Sequence, residues 1–487
     1  MPEENKPVRN RFRVPERLAK LRAPERLANF RVTERLAKVK RNAGNKSYRI
    51  AALVGLAVLL TALSGLGAAE TYQTPQAFPP DTEGVLTVQE LQELAAAQAE
   101  SVDADVAEEA LSVAPEESAS VTPEQAADVE TESAPVVESE PAPVSKAEKL
   151  LAEMSLREKV LQLFIVFPEQ LTGQTSSVTA AGDAVREGLQ RYPVGGILFD
   201  RGNMKSREQL LALLGDMQSF SKIPMLMTCD EEGGRVNRLM GAVGTPYVGP
   251  MLSYRDKGAD TAKQNAVTIA GGLTSCGFNM DFAPVADVWS NPDNKVIGNR
   301  AYSTDYAQAA ELVRAAVEGF HEGGVACTLK HFPGHGDTYE DSHNGLARVY
   351  RTWKQLETAE LKPFRAGIDA GADAVMVGHL IVGEIDPQPA TVSHVIVTDM
   401  LRNELGFDGV IITDSLQMDA ITKHYGAGEV ALLALEAGVD ILLAPDNLSA
   451  AAQAVISATE NGRLTEARLN ESVLRILNLK ETYGLLP

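Results

Sequence analysis

Eight short apolar runs recur along residues 146–487, and segments of helical length separate them. Apolar residues dominate these runs and are mostly continuous rather than alternating with polar residues, which is typical of parallel strands with both faces covered. Eight strand–helix units predict a (β/α)8 barrel of the TIM type in a single globular domain. An open, doubly wound sheet is the alternative, but no Gly-X-Gly-X-X-Gly sequence follows the first run. The predicted strands are Leu163–Phe167, Gly196–Phe199, Pro224–Cys229, Phe278–Val285, Val325–Leu329, Ala374–Val377, Gly409–Thr413 and Asp440–Ala444.

Polar residues follow most of these predicted strands. In barrels of this kind the active site lies at the carboxyl ends of the strands, so residues just after the strands should meet on one rim. We therefore expect a polar cluster at the mouth of the barrel. Its candidate members are Asp230, Arg238, Asp287, Arg300, Lys330, His331, His379 and Asp414.

The segment after the fifth predicted strand, Lys330 to His343, reads KHFPGHGDTYEDSH. It holds three histidines together with several charged groups, and such a density of polar groups is costly to bury. Gly334 and Gly336 allow backbone angles that other residues avoid. A buried strand that runs directly into a polar segment of this kind indicates a catalytic loop.

Two kinds of hydrolase fit these side chains. In a glycosidase, Asp414 at the tip of a buried strand would attack the anomeric carbon, and His343 would protonate the leaving oxygen and later deprotonate water. Asp341, two residues earlier, would orient the imidazole and stabilise its cation. In a metal-dependent hydrolase, histidines and aspartates would bind zinc instead, but the first predicted strand supplies no ligand. The sequence contains neither a Gly-X-Ser-X-Gly elbow nor a phosphate-binding Gly-Lys-Ser/Thr.

Four motifs together resemble the glycoside hydrolase family 3 β-N-acetylhexosaminidases of the NagZ type. They are DEEGGRVNR (Asp230–Arg238), VIGNRAY (Val296–Tyr302), KHFPGHGDTYEDSH and ITDSLQMDAI (Ile412–Ile421), each after its predicted strand and in the order of the family. The resemblance covers residues 147–487. It implies that Asp414 is the nucleophile and that Asp341 and His343 form an acid/base dyad. It also implies that the N-acetylglucosamine ring is held by Asp230, Arg238, Arg300, Lys330 and His331.

The resemblance implies a retaining exo-β-N-acetylglucosaminidase that releases terminal β-linked N-acetylglucosamine, often from peptidoglycan fragments, through a covalent glycosyl-aspartate. It implies no metal or organic cofactor. A β-glycoside phosphorylase or another family 3 glycosidase stays open, because phosphate can replace water in the second step. A non-catalytic, lectin-like protein that binds the cell wall is the alternative from another class. We expect no nucleic-acid partner and a monomer.

The N-terminal part of the chain divides into three segments of different charge. Residues 1–49 carry fifteen lysines and arginines against five acids, and include the repeats VPERLAKLR, APERLANFR and VTERLAKVK. Residues 50–69 are twenty uncharged residues, which is the length of a membrane-spanning helix. The basic excess on one side predicts a single-pass bacterial membrane protein with a cytoplasmic N-terminus and an extracytoplasmic catalytic domain. A cleaved signal peptide is the alternative.

Residues 70–145 contain acids but no lysine or arginine, and almost no aromatic residues. Such a segment buries too little apolar surface to offset its ordering entropy, so we predict a disordered acidic linker. The catalytic barrel is expected over residues 146–487. The three cysteines, Cys229, Cys276 and Cys327, are predicted to be buried thiols rather than a disulfide framework.

Overall fold

The computed structural model describes residues 145–339 and 345–486. Eight parallel strands form a nearly closed barrel, in the order β10-β1-β2-β3-β4-β5-β7-β9. A parallel bridge from Ile412 to Ile441 links the two ends of this order, next to the pairing of Phe164 with Leu442. The barrel strands are β1 (Phe164–Val166), β2 (Gly196–Leu198), β3 (Leu226–Cys229), β4 (Met280–Asp281), β5 (Ala326–Phe332), β7 (Ala374–Val377), β9 (Val410–Thr413) and β10 (Leu442–Leu443).

Each predicted strand contains the core of one barrel strand, so the α/β class and the eight parallel strands are confirmed. Every residue of these strands is buried, which explains why apolar residues dominate the sequence runs. The helices are α1 (Lys146–Glu153), α2 (Leu156–Gln162), α3 (Pro168–Thr172), α4 (Asp183–Arg191), α5 (Arg207–Phe220), α6 (Ala259–Thr274), α7 (Tyr306–Glu322), α8 (Trp353–Thr358), α9 (Leu361–Asp369), α10 (Asp419–Thr422), α11 (Ala427–Ala437), α12 (Leu448–Glu460) and α13 (Glu466–Thr482), with a π-helix at Val395–Glu404.

The fifth strand is longer than predicted. Lys330 and His331 were expected to follow a strand ending at Leu329, but β5 continues to Phe332. The extension is held by backbone hydrogen bonds, from Lys330 to the carbonyl of Pro284 (3.3 Å) and from Ala286 to the carbonyl of Lys330 (2.7 Å). The two side chains therefore lie on a rigid strand rather than on a loop.

Two short strands form a separate parallel pair beside the barrel, β6 (Ala347–Val349) and β8 (Leu380–Val382). The sequence analysis did not predict them, because runs of three residues carry too little periodicity to be distinguished from loops. The strand β6 begins three residues after the segment 340–344, which lies outside the described residues. It ties the chain after that segment to the body of the barrel.

Helices α1 and α2 precede the first strand, and each begins with a capping box. Ser145 and Glu148 cap α1, and Ser155 and Glu158 cap α2, in both cases with reciprocal hydrogen bonds between side chain and backbone. The Ser-X-X-Glu spacing is a sequence signal that would have predicted both helices.

Several predictions fall on residues that the structure does not describe. These are the basic arm at 1–49, the transmembrane helix at 50–69, all of the acidic linker except Ser145, and the proposed dyad residues Asp341 and His343. Within residues 145–339 and 345–486, no helix is both long and apolar enough to cross a membrane. Cys229, Cys276 and Cys327 are buried free thiols, as predicted.

Lys480 on the C-terminal helix α13 is completely buried, and its Nζ donates a hydrogen bond to Gln162 Oε1 at 2.7 Å. Burial lowers the pKa of Lys480 to about 7. An unfolded lysine keeps a pKa of about 10.4. The unfolded chain therefore binds more protons than the folded chain between about pH 7 and pH 10, and stability rises with pH across that window.

We predict that Lys480→Met stabilises the protein more at pH 6 than at pH 9. The methionine removes a buried ammonium that is charged in the folded state at pH 6 and mostly neutral at pH 9. The change in unfolding free energy should differ between the two pH values by about 2–3 kcal/mol. Denaturant unfolding at both pH values measures it, with the exposed Lys354→Met on α8 as control. An effect of Lys480→Met that is independent of pH would contradict a lowered pKa.

Candidate active site

One cavity of about 700 Å³ lies at the carboxyl ends of the barrel strands. Every one of the eight strands, or the residue directly after it, contributes to its lining. The structure brings all six predicted site residues that it describes to this cavity. They are Asp230, Arg238, Arg300, Lys330, His331 and Asp414.

Lys330 sits at the centre of the charged part of the cavity wall. Its Nζ lies 2.6 Å from Asp230 Oδ1 and 2.6 Å from Glu232 Oε1, and the side chain is only 2% exposed. Burial alone would lower the pKa of Lys330, but Asp230 and Glu232 outweigh burial and raise the pKa above its ordinary value. Lys330 is therefore a fixed, charged ammonium.

Glu232 forms a second buried ion pair with Arg300. Nε of Arg300 donates to Oε2 at 2.8 Å and Nη2 donates to Oε1 at 2.7 Å. Burial acts to raise the pKa of Glu232, but Arg300 and Lys330 hold that pKa far below its usual range. Glu232 is thus an anion that cannot donate a proton near neutral pH. The sequence analysis did not include Glu232 among the site residues, although the carboxylates of a DEE run beside predicted cations are natural partners for them.

The neighbouring carboxylate, Glu231, has a different environment. Its Oε2 accepts hydrogen bonds from the backbone N–H groups of Arg238 (2.5 Å) and Leu239 (2.9 Å), and its Oε1 accepts one from Met240 (3.3 Å). Glu231 is buried and does not line the cavity. It fixes the loop that carries Arg238.

Arg238 bridges two aspartates at the edge of the cavity. Its Nε lies 2.7 Å from Asp200 Oδ1, and its Nη2 lies 3.3 Å from Asp230 Oδ2. Because Asp230 also contacts Lys330, Asp230 joins the edge of the cavity to the buried charges below it. This part of the wall presents both hydrogen-bond donors and acceptors, as the recognition of sugar hydroxyl groups requires.

His331 is held by a buried aspartate. Its Nδ1 lies 2.6 Å from Asp287 Oδ2, and Nε2 on the other side of the ring lies 3.4 Å from Arg300 Nη2. Burial would raise the pKa of Asp287, but His331 and His335 outweigh burial and lower the pKa. Asp287 therefore orients the imidazole and does not line the cavity itself.

Asp414 directly follows β9, and its backbone N–H donates to the carbonyl of Val377 at 2.9 Å. Its Oδ1 accepts a hydrogen bond from the backbone N–H of Ser415 at 2.7 Å. Burial acts to raise the pKa of Asp414, but His331, His379, the Ser415 N–H and Lys330 outweigh burial and lower the pKa. The side chain is therefore an ionised carboxylate at a fixed position on the cavity wall.

His379 is completely buried and lies behind this carboxylate rather than on the cavity surface. Its Nδ1 lies 2.7 Å from Thr391 Oγ1, and its Nε2 lies 2.9 Å from the carbonyl oxygen of Ser415. His379 is one of the candidate members of the polar cluster predicted from the sequence. The structure gives it a packing position that supports the Asp414–Ser415 turn.

The chain that leads to the proposed dyad is anchored at its base. Asn294 Nδ2 donates to the carbonyl of His335 at 2.7 Å and lies 3.2 Å from Thr338 Oγ1. Asp337 accepts a hydrogen bond from Arg351 Nε at 2.9 Å, which links the two sides of residues 340–344. Tyr339, two residues before Asp341 in the sequence, lines the cavity and is 73% exposed.

A parallel α/β barrel with an ionised aspartate and buried cations at its carboxyl rim has the architecture and the charged groups of a barrel glycosidase. Comparison with known proteins gives the family. The profile described as the glycosyl hydrolase family 3 N terminal domain matches residues 155–479. The chain belongs to glycoside hydrolase family 3 and is a glycosidase.

Individual relatives agree with this assignment. A β-hexosaminidase of Tolumonas auensis is 37% identical over 299 residues, which are 61% of this chain and 88% of the relative. A β-hexosaminidase of Stenotrophomonas maltophilia is 35% identical over 322 residues, 61% of this chain and 95% of the relative. The solved structure of a family 3 β-N-acetylglucosaminidase from Paenibacillus superposes with a TM-score of 0.64 at 39% identity, covering 68% of this chain and 63% of that one.

We predict that Glu232→Gln lowers the unfolding free energy by about 3–5 kcal/mol, because it leaves two buried cations with too little negative charge. Asp183→Asn is the matched control, since it removes an exposed carboxylate–arginine pair on α4 and should cost less than about 1 kcal/mol. Denaturant unfolding measures both variants. Equal effects would show that the Glu232 pair does not stabilise the fold.

Proposed function

We propose that the protein is a retaining exo-β-N-acetylglucosaminidase. The observation that carries the proposal is the ionised Asp414, fixed at the end of β9 and facing a cavity whose wall holds Lys330, His331 and Arg300. The names of the relatives, β-hexosaminidase and β-N-acetylglucosaminidase, support a substrate with a terminal N-acetylhexosamine. The proposed natural substrates are N-acetylglucosamine-containing fragments of peptidoglycan or related glycosides.

In the first step, an Asp414 carboxylate oxygen attacks the anomeric carbon while protonated His343 gives its proton to the glycosidic oxygen. The bond between the anomeric carbon and the leaving oxygen breaks, the aglycone leaves as an alcohol, and a glycosyl-aspartate ester forms. In the second step, neutral His343 takes a proton from water, the water oxygen attacks the anomeric carbon, and the Asp414 carboxylate is released. Two inversions give net retention of configuration.

Asp341 is proposed to orient the His343 imidazole and to stabilise it when it is protonated. A histidine suits both steps, because its unperturbed pKa of about 6.5 allows it to donate and accept a proton near neutral pH. Both dyad residues lie outside the described part of the chain. Their roles therefore depend on the sequence motif and on the anchoring of the described residues on either side.

Asp230, Arg238, Arg300, Lys330 and His331 are proposed to hold the sugar. Glu232, in contact with both Lys330 and Arg300, joins them into one connected network, so the wall keeps its geometry before a ligand arrives and little reorganisation is needed on binding. The cavity volume of about 700 Å³ is in the range of sites for small molecules and suits removal of a terminal residue.

The membrane location stays a prediction from the sequence. The twenty uncharged residues at 50–69, with the basic arm before them, support a single-pass anchor with the barrel on the extracytoplasmic side. Placement of the barrel there would bring it to the cell wall, which agrees with the proposed substrate.

We predict that Asp414→Asn lowers kcat on an aryl N-acetyl-β-glucosaminide by at least about 10³-fold, because the amide is a poor nucleophile. Asp419→Asn, an exposed carboxylate five residues later, should keep full turnover. Proton NMR of the first product should show the β-anomer in the wild type. Full activity of Asp414→Asn would refute the nucleophile assignment.

The same assay distinguishes the alternatives. A glycosyl phosphate that forms only with added inorganic phosphate would identify a phosphorylase. Sugar binding by the wild type without any turnover would identify a lectin-like protein.

We predict that His343→Ala lowers kcat/KM for alkyl glycosides by about 10²–10⁴-fold and for an activated aryl glycoside much less, because only a poor leaving group needs a proton. The kcat/KM ratio is the measurement because it reports the first chemical step. His424→Ala, a variant of an exposed histidine, is the control. Equal slowing of both substrate classes would contradict the acid role.

A further inference from the structure

His321, Cys327 and Asp373 form a cluster at the opposite end of the barrel from the cavity. His321 lies in the last turn of α7, Cys327 near the start of β5, and Asp373 directly before β7, so all three are at the amino ends of the strands. One donor atom from each residue lies within 4.8 Å of the other two. Within residues 145–339 and 345–486 this is the single group of this kind.

The donor atoms have nearly the spacing of a tetrahedral metal site. His321 Nε2 lies 3.0 Å from Asp373 Oδ2 and 3.9 Å from Cys327 Sγ. Ligands at the zinc–nitrogen, zinc–oxygen and zinc–sulfur bond lengths would be separated by about 3.3–3.7 Å in a tetrahedron. The two distances from His321 Nε2 are therefore within about half an ångström of those in such a site.

The surroundings also suit a metal ligand set. Asp373 Oδ2 accepts hydrogen bonds from the Cys327 backbone N–H (2.9 Å) and from Tyr483 Oη (2.9 Å), which hold the carboxylate beside His321 and Cys327 and leave Oδ1 of the same carboxylate as a further oxygen donor. The His321 side chain is 32% exposed, which gives an ion a path from solvent and a place for a water as fourth ligand. The thiol lies 3.9 Å from His321 Nε2, at the long limit of a hydrogen bond, and the Asp373 carboxylate also lies near it.

We propose that His321, Cys327 and Asp373 bind a divalent metal ion of the zinc class. Nitrogen, sulfur and oxygen donors together favour zinc over magnesium or calcium, which prefer oxygen ligands alone. Binding replaces the thiol proton of Cys327, which is released to solvent. The site is structural: it joins α7, β5 and the start of β7, and through Tyr483 it reaches the end of α13. It is separate from the proposed catalytic chemistry.

The test is titration of the metal-free full chain with Co²⁺, which has the same coordination preferences as zinc and gives a thiolate-to-cobalt charge-transfer band. We expect one equivalent of Co²⁺ to produce this band and one equivalent of Zn²⁺ to displace it. Zn²⁺ should also raise the unfolding temperature, because it binds only the folded site. Absence of the band in the wild type would overturn the proposal.

Variants assign the band to these residues. Cys327→Ser should abolish it, and His321→Gln should weaken Co²⁺ binding by at least about tenfold. Cys276→Ser is the matched control, because that thiol is also buried and also lies 3.9 Å from a polar atom, the Ser275 hydroxyl oxygen. It should bind normally. Retention of the band in Cys327→Ser, or its loss in Cys276→Ser, would also overturn the proposal.

Hydrolysis of the aryl glycoside serves as the check that each variant is folded, since these residues lie away from the cavity. If Cys327→Ser does not fold, the partly exposed His321→Gln decides the question. Normal Co²⁺ affinity in a folded His321→Gln variant would contradict the site.

Discussion

The active-site region depends on one buried arrangement of charge, in which Lys330 and Arg300 share Glu232 while Lys330 also contacts Asp230. Removal of these groups from water costs several kcal/mol for each ion, and only close contacts between opposite charges offset that cost. The arrangement is therefore held at fixed distances. It joins β5 to the loops after β3 and β4, and a polar ligand meets side chains that are already oriented.

Environment, rather than residue type, separates the roles of the acids around this arrangement. Asp281 is fully buried without a cation in contact, so burial raises its pKa well above the usual range. Glu231 accepts three backbone hydrogen bonds and holds a loop. Glu232 accepts hydrogen bonds from the Arg300 guanidinium, and Asp287 is hydrogen-bonded to the His331 imidazole. Glu232 and Asp414 both combine a lowered pKa with a position on the cavity wall, but Glu232 is held between Lys330 and Arg300, which favours Asp414 as the proposed nucleophile.

The sequence could predict the barrel and the meeting of six site residues because both follow from local rules. Parallel strands covered on both faces need continuous apolar runs, and their carboxyl ends share one rim. The sequence could not, however, predict which residues at the rim of the barrel contact one another. The length of β5 depends on pairing with Pro284 and Ala286, and the role of Glu232 depends on distances to Arg300 and Lys330 that no spacing in the chain encodes. The segment of helical length between β6 and β7 forms two helices, α8 and α9, because the backbone leaves helical angles at Ala359 and the buried Glu360 accepts hydrogen bonds from Tyr306 and Arg351.

The same charge arrangement gives a physical reason to favour the proposed histidine as the acid/base group. Asp230, Glu232, Asp287 and Asp414 already place four carboxylates in or directly behind the cavity wall. A carboxylate as the general base would become neutral on taking the proton from water in the proposed second step, and would place no positive charge near the Asp414 carboxylate as it is released. A neutral imidazole that takes a proton from water instead becomes a cation, and the cation stabilises the departing carboxylate. A histidine beside Asp341 thus suits a wall of this composition better than a glutamate would.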